Sequence, residues 1–202
     1  MKDLVSYTAS MTAERTLRHE MRVAFSLFFE TADWDVVRRQ VLDDNLFQTQ
    51  SMRTATTYLQ QIRRRLQVLD RTLQEAYLTG SLSDQNAILI YSFSASYRLP
   101  QEFVTEVVRQ DWLRFKRSIG KADVRAFMAR KAEQSAIIAR WTPKTVQNIV
   151  QVMLTYFTDC QMLHRRDTQQ WEITPLVISP ALRAYVETAE SYQDFLQIIL
   201  NA

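Results

Sequence analysis

Two glycines, Gly80 and Gly120, and four prolines are all that punctuate these 202 residues. Sheet-rich folds reverse direction every few residues and draw on Gly, Pro, Asn and Asp to do so. A chain this poor in breakers, with apolar residues recurring at steps of three and four, folds mostly into helices. At 47% hydrophobic it can bury a sizeable core, either as one compact unit or as parts spanning 1–80 and 81–202.

Helical segments are read at 12–30, with Leu17, Met21, Ala24, Phe25 and Phe28 in phase, and at 34–44 behind the cap Asp33. Ser51 caps the clearest segment, where Met52, Ala55, Leu59, Ile62, Leu66 and Leu69 form one narrow apolar stripe. A short helix ends near Gly80, Ser83 caps 84–97, Pro100 opens a helix to about 118, and Gly120 separates it from 122–139. Thr142-Pro143, a cap followed by a first-turn proline, starts a long helix to about 163. Residues 169–179 (QQWEITPLVIS) are rich in β-formers and suit a small hairpin, and Ser179-Pro180 and Ser191 open two short helices. The predicted class is all-α: a multi-helix bundle with helix-turn-helix or winged-helix character and at most a small C-terminal β-hairpin.

Charge is unevenly placed. Residues 45–71 hold Arg53, Arg63, Arg64, Arg65 and Arg71 against Asp70 alone. Residues 109–144 hold ten cations against Asp111, Asp123 and Glu133, so the remainder of a chain of net charge +3 is acidic. Two basic segments on an acidic scaffold suit a polyanion, and the preference for Arg suits phosphate and guanine edges.

Opposite the 52–69 stripe lie Arg53, Thr57, Gln60 and Arg64, flanked by Arg63: side chains that read base edges and phosphates, or an ordinary solvated face. The 34–44 and 52–69 pair resembles a helix-turn-helix, with a connection longer than the usual three or four residues. Helix 122–139, turn 140–142 and helix 143–163 are better spaced. There Lys144, Thr145, Gln147, Asn148 and Gln151 make the polar face, and His164-Arg165-Arg166 with 169–178 resembles a wing. Arg114, Lys116, Arg117 and Lys121 form a third cluster beside Trp112 and Phe115, suited to phosphate clamping or to a helix C-terminus.

Catalytic chemistry finds few residues. Two glycines make no phosphate-binding loop, His19 and His164 lack metal-ligand spacing, and Cys160 sits on an apolar stripe. No cofactor, metal or small-molecule substrate is expected. Neither a signal peptide nor an apolar run of about 20 residues is present, so a soluble, cytoplasmic protein without a membrane partner is expected.

Tyr7-Thr8-Ala9-Ser10 with Glu20, Asn45-Leu46-Phe47-Gln48, the Arg-rich run ending Arg63-Arg64-Arg65-Leu66, Trp141-Thr142, and LVISPAL at 176–182 together resemble the BrxA family of bacteriophage exclusion (BREX) defence systems. The resemblance covers nearly the whole chain through short, structural motifs. It implies an all-helical protein of NusB-like or winged-helix character that binds DNA within a multi-protein phage-resistance system, whose methyltransferase and ATPase are separate components. It carries over no catalytic motif, and its occasional inner-membrane label finds no spanning segment here. The expectation is a non-enzymatic accessory protein with two partners: duplex DNA and other BREX proteins. A protein–protein adaptor and an RNA-binding, NusB-like protein are the alternatives.

Overall fold

Apolar spacing and caps place the helices, which a computed structural model of the chain describes over residues 6–201. After a 3-10 turn, Ala9–Ala13, the N-terminal part comprises α1 (Arg18–Thr31), α2 (Trp34–Asp43), α3 (Met52–Leu66) and α4 (Arg71–Thr79). Asp33 and Ser51 cap α2 and α3, as their side-chain oxygens accept the free N–H groups of the first turn. Ala55, Leu59, Ile62, Leu66 and Leu69 are buried as the stripe predicts, while Met52 at its start is exposed.

The centre is α5 (Leu82–Ser96). Its run from Asn86 to Ser94 is buried on every side, as expected of a helix without a polar face. Phe93 stacks on Tyr156 with ring centroids 4.1 Å apart. Ser81, rather than Ser83, caps this helix, because Asp84 three residues on closes a reciprocal capping box with it. Ser83 donates instead to the Val177 carbonyl. Gly80 is required just before: a Cβ there would stand 2.4 Å from the Ala76 carbonyl oxygen.

Next come α6 (Arg98–Phe103), a π-helical turn (Val104–Val108) and α7 (Arg109–Leu113), one continuous rod. Pro100 lies within its first turn, where a missing N–H leaves no bond broken. The rod ends earlier than the 118 expected, and β1 (Ser118–Gly120) follows. Then α8 (Lys121–Gln134), α9 (Ala136–Ala139) and α10 (Pro143–Asp159) lead into β2 (Leu163–Arg165) and β3 (Gln170–Ile173). The helix expected over 122–139 is interrupted at Ser135, whose extended backbone and hydroxyl re-cap the chain for α9.

The strands form one antiparallel sheet in the order β1–β3–β2, pairing Gly120 with Gln170 and Arg165 with Trp171. The mostly helical class with a small β element therefore holds. Of the hairpin expected within 169–179 only β3 forms. Its partners are β2, at the end of the stretch expected to be helical to about 163, and β1, which pairs the buried Ile119 with Trp171. Finally α11 (Pro180–Thr188), a 3-10 turn (Glu190–Tyr192) and α12 (Phe195–Ile198) close the bundle, the last packing Phe195 on Tyr91.

Candidate nucleic-acid interface

The basic segments divide into cations spent inside the fold and cations left outside. On α3, Arg65 is buried, held 2.6 Å from Glu14 and hydrogen-bonded to the Thr16 carbonyl at 2.8 Å. Burial works against its charge, but its neighbours, Glu14 among them, outweigh this and raise its pKa above the usual value. Arg64, predicted on the outer face, turns to the same carboxylate at 3.3 Å and to the Tyr97 hydroxyl, and lies over the Tyr97 ring. Thr57 is half-buried and donates back to the Arg53 carbonyl. Arg53, Gln60 and Arg63 remain exposed, Arg63 resting 5.9 Å from the Trp34 ring centre.

The 114–121 cluster is split by β1. Arg114 is exposed. Lys116 bridges Asp111 at 2.7 Å and Asp123 at 2.8 Å. The Arg117 guanidinium lies 3.6 Å from the Trp112 ring centre and donates to the Trp112 carbonyl. Arg114 and Arg117 precede Ser118, whereas Lys116 reaches across to the Gly120 end through Asp123, which also accepts the Gly120 N–H at 2.7 Å. Lys121 follows Gly120, its N–H donating to the Gln169 carbonyl at 2.9 Å.

Lys121 thereby meets the β2–β3 connection. In this loop the Asp167 carboxylate accepts the N–H groups of Gln169 at 2.6 Å and Gln170 at 2.9 Å, a tight Asx-type turn. Arg165 donates to the Asp167 carbonyl at 3.0 Å, and Arg166 pairs with Glu172 at 3.0 Å. His164 is exposed on β2.

The helix running back to this loop is α10. Thr142 caps it, Pro143 occupies its first turn, and Ile149, Met153, Tyr156 and Phe157 anchor it. Its outer face presents Lys144, Gln147, Asn148, Gln151 and Thr155. Between α8 and α10 opens a cleft of about 850 Å³ floored by Val124, Met128, Val150 and Leu154. Lys121, Arg125 and Arg165 stand on its rim, and Gln147 and Gln151 line it as well.

Among the described residues Lys121, Arg125 and Lys144 form no ion pair. Of these, Arg125 was not singled out in the sequence. Its spacing four residues after Lys121 on one helix is the signal that would have found it. Burial pushes the Cys160 thiol up to about 12, so it stays protonated at neutral pH. No group of three His, Cys, Asp or Glu residues is placed to hold a metal ion, among the described residues. No helix there is long and apolar enough to cross a membrane.

The BrxA family model matches residues 5–190. The chain belongs to the BrxA family. A curated relative, "BREX protein BrxA" of Bacillus cereus (strain H3081.97), is 26% identical over 118 residues. That alignment takes in 58% of this chain and 59% of the relative's length. A crystal structure of an uncharacterized protein from Magnetospirillum magneticum superposes with a TM-score of 0.79 at 16% identity. It covers 96% of this chain and 97% of the other, so the two share a fold.

Proposed function

We propose that this BrxA-family chain serves a BREX phage-defence system as a non-enzymatic accessory protein that binds duplex DNA and works beside other BREX proteins. Family membership supports the system. The DNA reading rests on one observation: α8, the one-turn α9 and α10 follow β1 in the chain, and α10 leads into β2 and β3 of a small antiparallel sheet, with Arg165 ending β2 and Arg166 in the loop beyond it. With the short α9 set aside, the order helix, strand, helix, helix, strand, strand, third strand central, resembles that of a winged helix-turn-helix. α10 is then the recognition helix and the β2–β3 loop the wing.

The chemistry follows from which side chains are exposed. Asn148 and Gln151 are exposed amides of the kind that pair with adenine edges, and Lys144 at the start of α10 supplies charge beside them. Lys121 and Arg165, at the ends of the two outer strands and both lining the cleft beside α10, contact phosphates and set register rather than sequence. Arg114 and Arg117 lie at the other end of β1, and Arg64 is engaged by Glu14 and the Tyr97 hydroxyl. The binding surface is therefore weighted toward α10 and the wing.

Gel-shift titration of duplex DNA at two salt concentrations tests this. Each phosphate contact adds roughly 0.9 to the log–log salt slope. Lys121→Glu with Arg165→Glu should weaken binding at least tenfold, while Arg53→Glu with Arg63→Glu on α3 changes it little. Wild-type affinity in the first pair with loss in the second moves the site to α3. Preference for single-stranded RNA over the duplex rejects the DNA reading.

A further inference from the structure

The proposed DNA contact uses the rim of the α8–α10 cleft and leaves its floor without a role. Along α8 the lining recurs every third or fourth residue from Lys121 to Ala132, and along α10 from Pro143 to Thr158. These are two unfilled ridges of the kind that accept a third helix. The trough lies between these two helices, with Ile138 and Ala139 of α9 and Trp171 of β3 also lining it. From Lys121 to Ala132 it runs about 18 Å at 1.5 Å per residue, the length of three helical turns. A compact ligand is enclosed on most of its surface, whereas an open trough suits a rod.

Charge narrows the occupant. Lys121, Arg125 and Arg165 rim the trough, and its lining contains one carboxylate, Asp159, which already accepts a hydrogen bond from Thr16. The apolar lining, Ala129, Ala132, Trp141, Val146 and Val150 over the buried Val124, Met128 and Leu154, calls for an apolar ridge, which duplex DNA lacks. We propose that this trough docks an acidic amphipathic helix, about three turns long, from a protein partner. Leucine-like side chains fill the floor and flanking carboxylates meet the three cations, the usual pattern of helix-in-groove recognition.

The probe is a 14-residue peptide with Leu along one face and Glu on its flanks, and its twin carries Lys for every Glu. Each is titrated against the full-length protein, with Trp141 and Trp171, both lining the trough, as fluorescent reporters. The acidic peptide should bind saturably and gain helicity, with the basic twin at least tenfold weaker. Ala129→Trp plugs the trough from an exposed position without altering charge. It should cut acidic-peptide affinity at least tenfold and leave duplex DNA binding within twofold; Ala139→Trp, from an exposed position on α9 that also lines the trough, serves if that variant melts early. Four results overturn the proposal: no binding by the acidic peptide, equal binding by both peptides, a plug without effect, or a dimer that the plug dissociates. Loss of DNA binding in the plugged variant also overturns it, by assigning the trough to DNA. Peptide binding by a protein that does not bind DNA retires the DNA reading alone.

Discussion

Replacing Glu14 by alanine should destabilise the protein far more than any exposed charge does. Its carboxylate and the Arg65 guanidinium are 2% and 1% exposed and 2.6 Å apart. Removing one partner of such a pair strands the other charge in the core, at about 3–5 kcal/mol. For a domain of this length each kcal/mol moves the melting temperature by about 2–4 °C, so the expected fall is about 6–20 °C. Arg64 also bonds Glu14, but its side chain is 41% exposed, so Arg64→Ala should cost no more than about 1 kcal/mol. Replacing both buried partners, Glu14→Leu with Arg65→Met, should recover much of the loss, because an apolar pair of similar volume avoids both desolvation penalties. Thermal unfolding followed by circular dichroism reads all three. Glu14→Ala melting within about 2 °C of wild type, or Arg64→Ala falling as far as it, refutes the assignment of the buried charge to that pair.

Acid should weaken the fold through Glu102 and Asp123. Burial pushes the Glu102 carboxyl up, but hydrogen bonds from Arg98, Lys131 and Tyr7 outweigh it and hold the pKa below the usual value. For Asp123 burial is likewise outweighed, by Lys116 and the Gly120 N–H. A depressed folded value gives stability that is present above the unfolded pKa of about 4 and lost as pH falls through the folded one. Melting temperature should therefore drop between pH 5 and pH 3, and less steeply in Glu102→Gln. Phe93→Ala should cost about 3–5 kcal/mol by urea denaturation, since its ring is buried between Tyr97, Tyr156 and Phe157. Cys160, buried with its pKa near 12, should resist maleimide at pH 8 until the protein is unfolded.

Local signals carried the helices, and long-range ones decided the rest. Ser51 and Thr142-Pro143 announce α3 and α10 because a cap and its helix lie within four residues. Ser135 interrupts an apolar pattern that reads straight through it, since only the turn toward α10 requires an end there. The strand at Ser118–Gly120 is three residues long and owes its pairing to Trp171, distant in sequence. The same holds for the candidate site. The start of α10 was readable from its cap and proline. The burial of Arg65 and the tie of Arg64 to the same carboxylate were not, because their common partner Glu14 lies about fifty residues upstream and Arg65 merely flanks the apolar stripe. The trough is not legible in the sequence either, because its lining comes from α8, α9, α10 and β3, which only the tertiary fold brings together.

The segment from Glu14 to Arg18 has a consequence for how the chain is made. Its partners are Gln61, Arg64 and Arg65 on α3, Asn86 on α5, Tyr97, and Asp159 at the end of α10. Thr16 and Asp159 are 143 residues apart, which a ribosome adding roughly 5–20 residues per second needs about 7–29 s to cover. For that interval the segment lacks the partner that completes its seat, and Glu14 is without its α3 partners until that helix emerges. Translation pace thus sets a window in which this seat stays open, and emergence of the end of α10 closes it.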